Sequence, residues 1–166
     1  VKVVIYLGEF EDNTKVPIAA CIRGDQYINE IKIFNLLDEI HDSNLINLSK
    51  IETESSINKN LYGLPLGYLG PDISDQIINK NSQWEKKWVR IVDYSASELK
   101  SFISGANQVN LHKYFNSWKS LDNTFITSDI RNAQEGDFIS LDSEETLIEK
   151  KGIEIGHIFQ LGQKYS

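Results

Sequence analysis

The chain opens on two runs dominated by β-branched and aromatic residues, Val1 to Leu7 and Pro17 to Arg23, separated by the polar stretch Glu11-Asp12-Asn13-Thr14-Lys15. That pattern predicts adjacent strands joined by a turn. Arg23-Gly24-Asp25 closes the second strand, with Gly24 as a tight-turn residue. Asn29 is placed to cap a helix reaching about Asp38, with Ile31, Phe34 and Leu37 turned inward. Residues 41–49 read as polar, irregular chain around a short apolar piece, and Glu54 to Leu61 as a second short helix. Glycine and proline are dense between Gly63 and Pro71, which marks a shaped loop rather than a regular element.

Further on, Trp88 to Tyr94 alternates as a strand should, with Val89, Ile91 and Asp93 on one side. Ser95-Ala96-Ser97-Glu98 has the form of a capping box, predicting a helix from Ala96 to about Ile103 that Gly105 ends. A strand is expected from Thr146, leading through Lys150-Lys151-Gly152 into a closing run, Ile153 to Leu161. There Ile153, Ile155, Phe159 and Leu161 face one way, Glu154, Gly156 and Gln160 the other, and His157 breaks the apolar face.

The composition is that of an ordinary globular chain, 166 residues with 40% hydrophobic and 25% charged, long enough to bury a core without staples. Cys21 is the single cysteine, so no internal disulfide forms; among Ala19, Ala20 and Ile22 it reads as a small buried hydrophobe, in keeping with a reducing, cytoplasmic setting. The apolar start is too short to span a bilayer and lacks the regions of a signal peptide, so no membrane partner is expected. A net charge of −7 argues against broad docking on a phosphate backbone, and any nucleic-acid contact is expected to be local.

From the residues alone, Gly67-Tyr68-Leu69-Gly70-Pro71 serves equally as a surface turn or as a ligand cradle. His112 has no Cys or His partner at metal-ligand spacing and no nucleophile elbow beside it; it reads as a structural histidine or as a lone functional one. No metal constellation is found. The Arg-Gly-Asp triplet leaves a small protein-binding module as a remote alternative.

The closing run, Gly152-Ile153-Glu154-Ile155-Gly156-His157-Ile158-Phe159-Gln160-Leu161-Gly162-Gln163-Lys164-Tyr165-Ser166, closely resembles a strand of the aminoacylation domain of bacterial prolyl-tRNA synthetases, just after an inserted editing domain. Arg23-Gly24-Asp25 with Asn29-Glu30, Gly105-Ala106-Asn107 with His112 and Trp118, Asp129-Ile130-Arg131-Asn132 and Gly136-Asp137 are similar to the insert itself.

The resemblance implies that residues 1–150 are the editing insert and 151–166 the return strand into the class II aminoacylation domain. The implied fold is α+β, a mixed, curved sheet with short helices, as in YbaK-like proteins. It also implies hydrolysis of alanine from mischarged tRNA(Pro), with Gly67 to Pro71 lining the pocket, His112 supporting hydrolysis and Asp93 shaping the site. Implied partners are the acceptor end of that tRNA and the rest of the synthetase, expected to be a homodimer. Editing would need no cofactor. ATP with Mg would serve only the full-length enzyme, where residues similar to Glu154 and His157 lie towards ATP and one similar to Phe159 packs by the proline ring.

Two departures stand against the family pattern. The lysine important for deacylation near the end of the first strand is replaced, with Leu7 or Gly8 at its position, and the helix that precedes this strand in related inserts is not in this sequence. A catalytically degenerate, structural insert is therefore the alternative reading.

Overall fold

The computed structural model describes all residues except 53–59, 62, 122–123, 141–143, 153–155 and 157–166. The chain divides into two compact units, Val1–Asn132 and Ala133–Ser166. The expected junction at residues 150 and 151 lies inside the second.

In the first unit the two opening runs form β1 (Lys2–Phe10) and β2 (Lys15–Ile22), an antiparallel pair in register from Lys2 opposite Ile22 to Glu9 opposite Lys15. The polar stretch between them is a turn. Asn13 takes φ 67, and Phe10 N donates to Thr14 O at 2.9 Å, a left-handed position asparagine tolerates better than most residues. β3 (Leu45–Lys50) adds antiparallel to β1, with a register slip between Glu9 and Phe10. β4 (Val89–Asp93) lies parallel to β2, and β7 (Ile126–Ser128) parallel to β4. The result is a mixed five-stranded sheet, β3-β1-β2-β4-β7, with few short helices, so the α+β expectation holds.

Side chains leave β1 alternately on two faces, and each face has its own cover. On one face Tyr6 and Phe10 pack with Ile18, Ile91 and Ile130 against Ile33 and Leu37 of α1 (Glu30–Ile40). Asn29 caps this helix, accepting from Ile31 N at 3.1 Å and Lys32 N at 3.3 Å. Burying Ile33 and Leu37 stabilises the packed helix by about 1.5–3 kcal/mol each. The inward stripe starts at Ile33, not Ile31, which is 71% exposed; a cap at Asn29 and a four-residue step to Leu37 turn Ile31 outward.

On the other face Ile5 and Ala19 meet Leu61, Leu64, Leu69, Ile73, Ile78, Trp84 and Trp88. That layer is almost wholly irregular chain. The glycine- and proline-rich loop therefore belongs to the core through Leu64 and Leu69, with Leu66 packed against them and Gly67 exposed.

The structure corrects several expectations. Residues 45–50 are a strand, since pairing with β1 decides a segment half of whose residues are exposed. Helix α2 covers only Tyr94–Ser97; Asp93, not Ser95, is its cap. Phe102–Gly105 is β5, paired antiparallel with β6 (His112–Phe115), because stacking of Phe102 on Phe115 outweighs the helical signal. Gly105 accordingly ends no helix. Gly24 has no positive φ and a Cβ there would touch nothing, so its turn does not require glycine.

In the second unit, Gly136 turns the chain with φ 88, and Phe138 forms a single antiparallel bridge with Thr146. The strand expected from Thr146 is reduced to that bridge over residues 146–152, which are exposed and lack a continuous pairing partner. The proposed helix from Glu54 lies outside the described residues, apart from Asn60 and Leu61.

Candidate functional site

The loop is shaped by its backbone. Gly63 and Gly67 take φ 57 and 84, and Tyr68 N donates to Pro65 O at 2.9 Å. At Gly70 the loop lies flat against β5. A Cβ built on Gly70 would fall 2.3 Å from Gly105 O, and one built on Gly105 would fall 2.2 Å from the carbonyl atoms of Tyr68. Only glycine at both positions permits this backbone-to-backbone approach.

Asn107 locks the approach. Its backbone N donates to Tyr68 O at 2.9 Å, its Oδ1 accepts from Gly70 N at 2.8 Å, and its Nδ2 donates to Asp72 Oδ1 at 2.9 Å. It does so at φ 58, a left-handed conformation asparagine tolerates. The buried Ser104 hydroxyl donates to Leu69 O at 3.4 Å, and Lys113 forms an ion pair with Asp72 Oδ2.

His112 stands opposite Gly105 in the β5–β6 pair and is exposed. Its ring meets that of Tyr68 edge-on, centroids 5.8 Å apart. Tyr68 in turn donates from its hydroxyl to Asn110 Oδ1 at 2.8 Å. The loop and His112, far apart in sequence, are thus neighbours in space.

Asp93 belongs to a different knot. It is 1% exposed at the end of β4, and its carboxylate accepts from Ser95 N at 2.9 Å and Ile130 N at 3.0 Å. Ser95 Oγ lies 2.6 Å from the same carboxylate and 2.7 Å from Gln26 Oε1. These bonds tie β4, α2 and the segment at Ile130 together, and neither Tyr68 nor His112 shares them. The arrangement gives Asp93 the part of a strand-end cap.

No family model matches the chain. Over all 166 residues it is 59% identical to the proline–tRNA ligase of Prochlorococcus marinus strain MIT 9515 and 57% identical to that of strain MIT 9301. The corresponding protein of strain NATL2A is 43% identical over the same length. The chain is homologous to a segment of proline–tRNA ligase. It spans 28% of the length of each of these relatives.

Within this chain, the two positions weighed for the replaced lysine differ in kind. Leu7 packs beside Ile5 on the face that carries Leu69, whereas Gly8 points to the α1 face, among Leu45, Ile18 and Phe10. Lys15 pairs with Glu9, and Lys2 lies over the Tyr27 ring at 4.9 Å from its centroid. Glu154, His157 and Phe159 lie outside the described residues. Cys21 is fully buried, and burial pushes its thiol up to about 12, which suits a hydrophobe. Arg23 pairs with Asp25 through Nη2 at 2.7 Å, so a partner reading the Arg-Gly-Asp triplet would have to break that pair. Among the described residues no helix is long and apolar enough to cross a membrane.

Sequence reasoning did not single out Asp72, Asn110 or Lys113, and it read Asn107 only as part of a motif. The available signal was the pair of asparagines between Gly105 and His112, since after glycine asparagine most readily takes left-handed backbone.

Proposed function

We propose that this chain is the editing insert of a prolyl-tRNA synthetase together with the start of its return into the aminoacylation domain, and that it hydrolyses alanyl-tRNA(Pro). The observation that carries the reading is the Gly67–Pro71 loop, locked by Asn107 beside His112. A synthetic site sized for proline cannot strongly exclude a smaller amino acid, and a second site that hydrolyses the wrong ester restores accuracy.

In this reading the loop's backbone groups bind the aminoacyl ester, and His112 holds the attacking water or the leaving ribose oxygen by hydrogen bond. Water adds to the ester carbonyl, the acyl–oxygen bond breaks, and the products are alanine and a tRNA with a free ribose hydroxyl. Editing draws on no cofactor. ATP with Mg belongs to the full-length, homodimeric, cytoplasmic enzyme, whose remaining domains hold the tRNA body.

The apolar packing of Leu7 favours a second reading, a structural insert without catalysis. Single-turnover deacylation of alanyl-tRNA(Pro), with prolyl-tRNA(Pro) as control, separates the two. Slow, alanine-selective hydrolysis lost in His112→Ala supports editing; no hydrolysis above the uncatalysed rate supports the structural insert.

A further inference from the structure

A chain of net charge −7 that receives the end of a polyanion needs a cation where the polyanion touches it. Among the described residues bonded to the 67–72 loop, that cation is Lys113. It follows His112 in β6, and its ammonium lies over the buried ring of Phe115, 4.8 Å from the centroid. Its partner Asp72 directly follows Pro71 and has a second holder, since Oδ1 accepts from Asn107 while Oδ2 takes Lys113. The pair is open to solvent, with side chains 43% and 26% exposed, so an incoming anion can reach Lys113 without unfolding anything. Asp72 would remain tied to Asn107 when Lys113 leaves it.

We infer that Lys113 is the phosphate-binding residue of this site. It exchanges Asp72 for a phosphate at the single-stranded 3′ end of the tRNA and so brings that end over the loop and His112. The inference rests on the editing reading above. It predicts opposite effects from the two members of one ion pair. Lys113→Gln removes the cation. Asp72→Asn keeps an oxygen for Asn107 but removes the charge that competes with phosphate.

The test is binding of an RNA hairpin carrying the tRNA(Pro) acceptor stem and its unpaired 3′ end, by fluorescence anisotropy across a salt series. Thermal melting of each variant checks that it is folded. Lys113→Gln is expected to weaken binding roughly 3- to 10-fold and to lower the slope of log K against log salt by about 0.7, the value for one phosphate contact on a single strand. Asp72→Asn is expected to tighten binding by a similar factor, and Lys113→Arg to retain it.

Shifts of the same sign in Lys113→Gln and Asp72→Asn, or an unchanged salt slope in Lys113→Gln, would show that the lysine serves only its ion pair. If the parent hydrolyses alanyl-tRNA(Pro) while these variants fail the pattern, Lys113 alone is misassigned. If the parent neither binds the hairpin nor hydrolyses the ester, the editing reading falls and this inference falls with it.

Discussion

Replacing Gly105 with alanine tests whether the close approach of β5 to the loop builds the site. The added methyl would lie 2.2 Å from the carbonyl carbon and oxygen of Tyr68 and 2.5 Å from Leu69 O. Both obstacles are backbone, so no rotamer change relieves them, and the loop must retreat by a little over about 1 Å to approach ordinary contact distance. Overpacking of this kind costs about 1–3 kcal/mol. At roughly 2–4 °C per kcal/mol for a chain of this size, the melting temperature should fall by about 2–12 °C.

The retreat also stretches the bonds from Asn107 N to Tyr68 O and from Gly70 N to Asn107 Oδ1, so under the proposed editing reading deacylation should drop about 100-fold, the cost of a displacement near 1 Å at a reacting centre. Circular-dichroism melts and single-turnover deacylation read the two effects. Gly24→Ala is the control, because a Cβ there meets nothing and it should stay within about 0.5 kcal/mol of the parent. A Gly105→Ala protein that melts and reacts like the parent would refute the idea that the loop is held at this distance.

Three further outcomes follow from the same geometry. Asn107→Gly keeps the left-handed backbone and removes only the side-chain bonds, so Gly70 N–H exchange with solvent should quicken roughly 2- to 10-fold by NMR; unchanged protection would mean the amide has another partner. Leu7→Lys should raise deacylation roughly 10-fold or more from a charge-assisted hydrogen bond on the loop's face, whereas Gly8→Lys should chiefly destabilise, since its Cβ would already sit 3.2 Å from Leu45 Cδ1; a gain only in Gly8→Lys would reverse the assignment of faces. The bond from Lys15, then that from Asn47, holds the Glu9 carboxyl below the usual carboxylate range. A depressed carboxyl contributes stability above its unfolded value of about 4.3 and loses it as pH falls through the folded value. Urea unfolding should therefore show the parent more stable than Glu9→Gln at pH 7 by under about 1 kcal/mol, with the gap closing below about pH 4; a gap that persists at pH 3 would refute the charge origin.

Local pattern was enough for the elements whose signal lies within a few residues. The first two strands and their polar turn, the Asn29 cap, the strand ending at Asp93, the buried thiol of Cys21 and the loop at Gly67 to Pro71 were all legible from periodicity, capping chemistry and glycine content. So was the family, because the long closing run and the scattered motifs are specific.

Tertiary structure decided what depends on distant partners. Residues 45–50 have weak alternation and became a strand because β1 offered an open edge. Residues 102–105 followed Ser95-Ala96-Ser97-Glu98 and became a strand because Phe115 stacks on Phe102. Asp93, which the resemblance implied shapes the site, accepts from Ser95 N and from Ile130 N, the second of which is 37 positions away.

The candidate site divides in the same way. Gly67, Gly70 and His112 could be named from the sequence, but nothing in their spacing says that Gly105 must face Gly70, or that Asn107 rather than Asp93 holds the loop. A glycine's need for a missing side chain is set by whatever backbone passes nearby, and an asparagine's by which amide and carboxylate come within reach. Both facts exist only once the chain is folded.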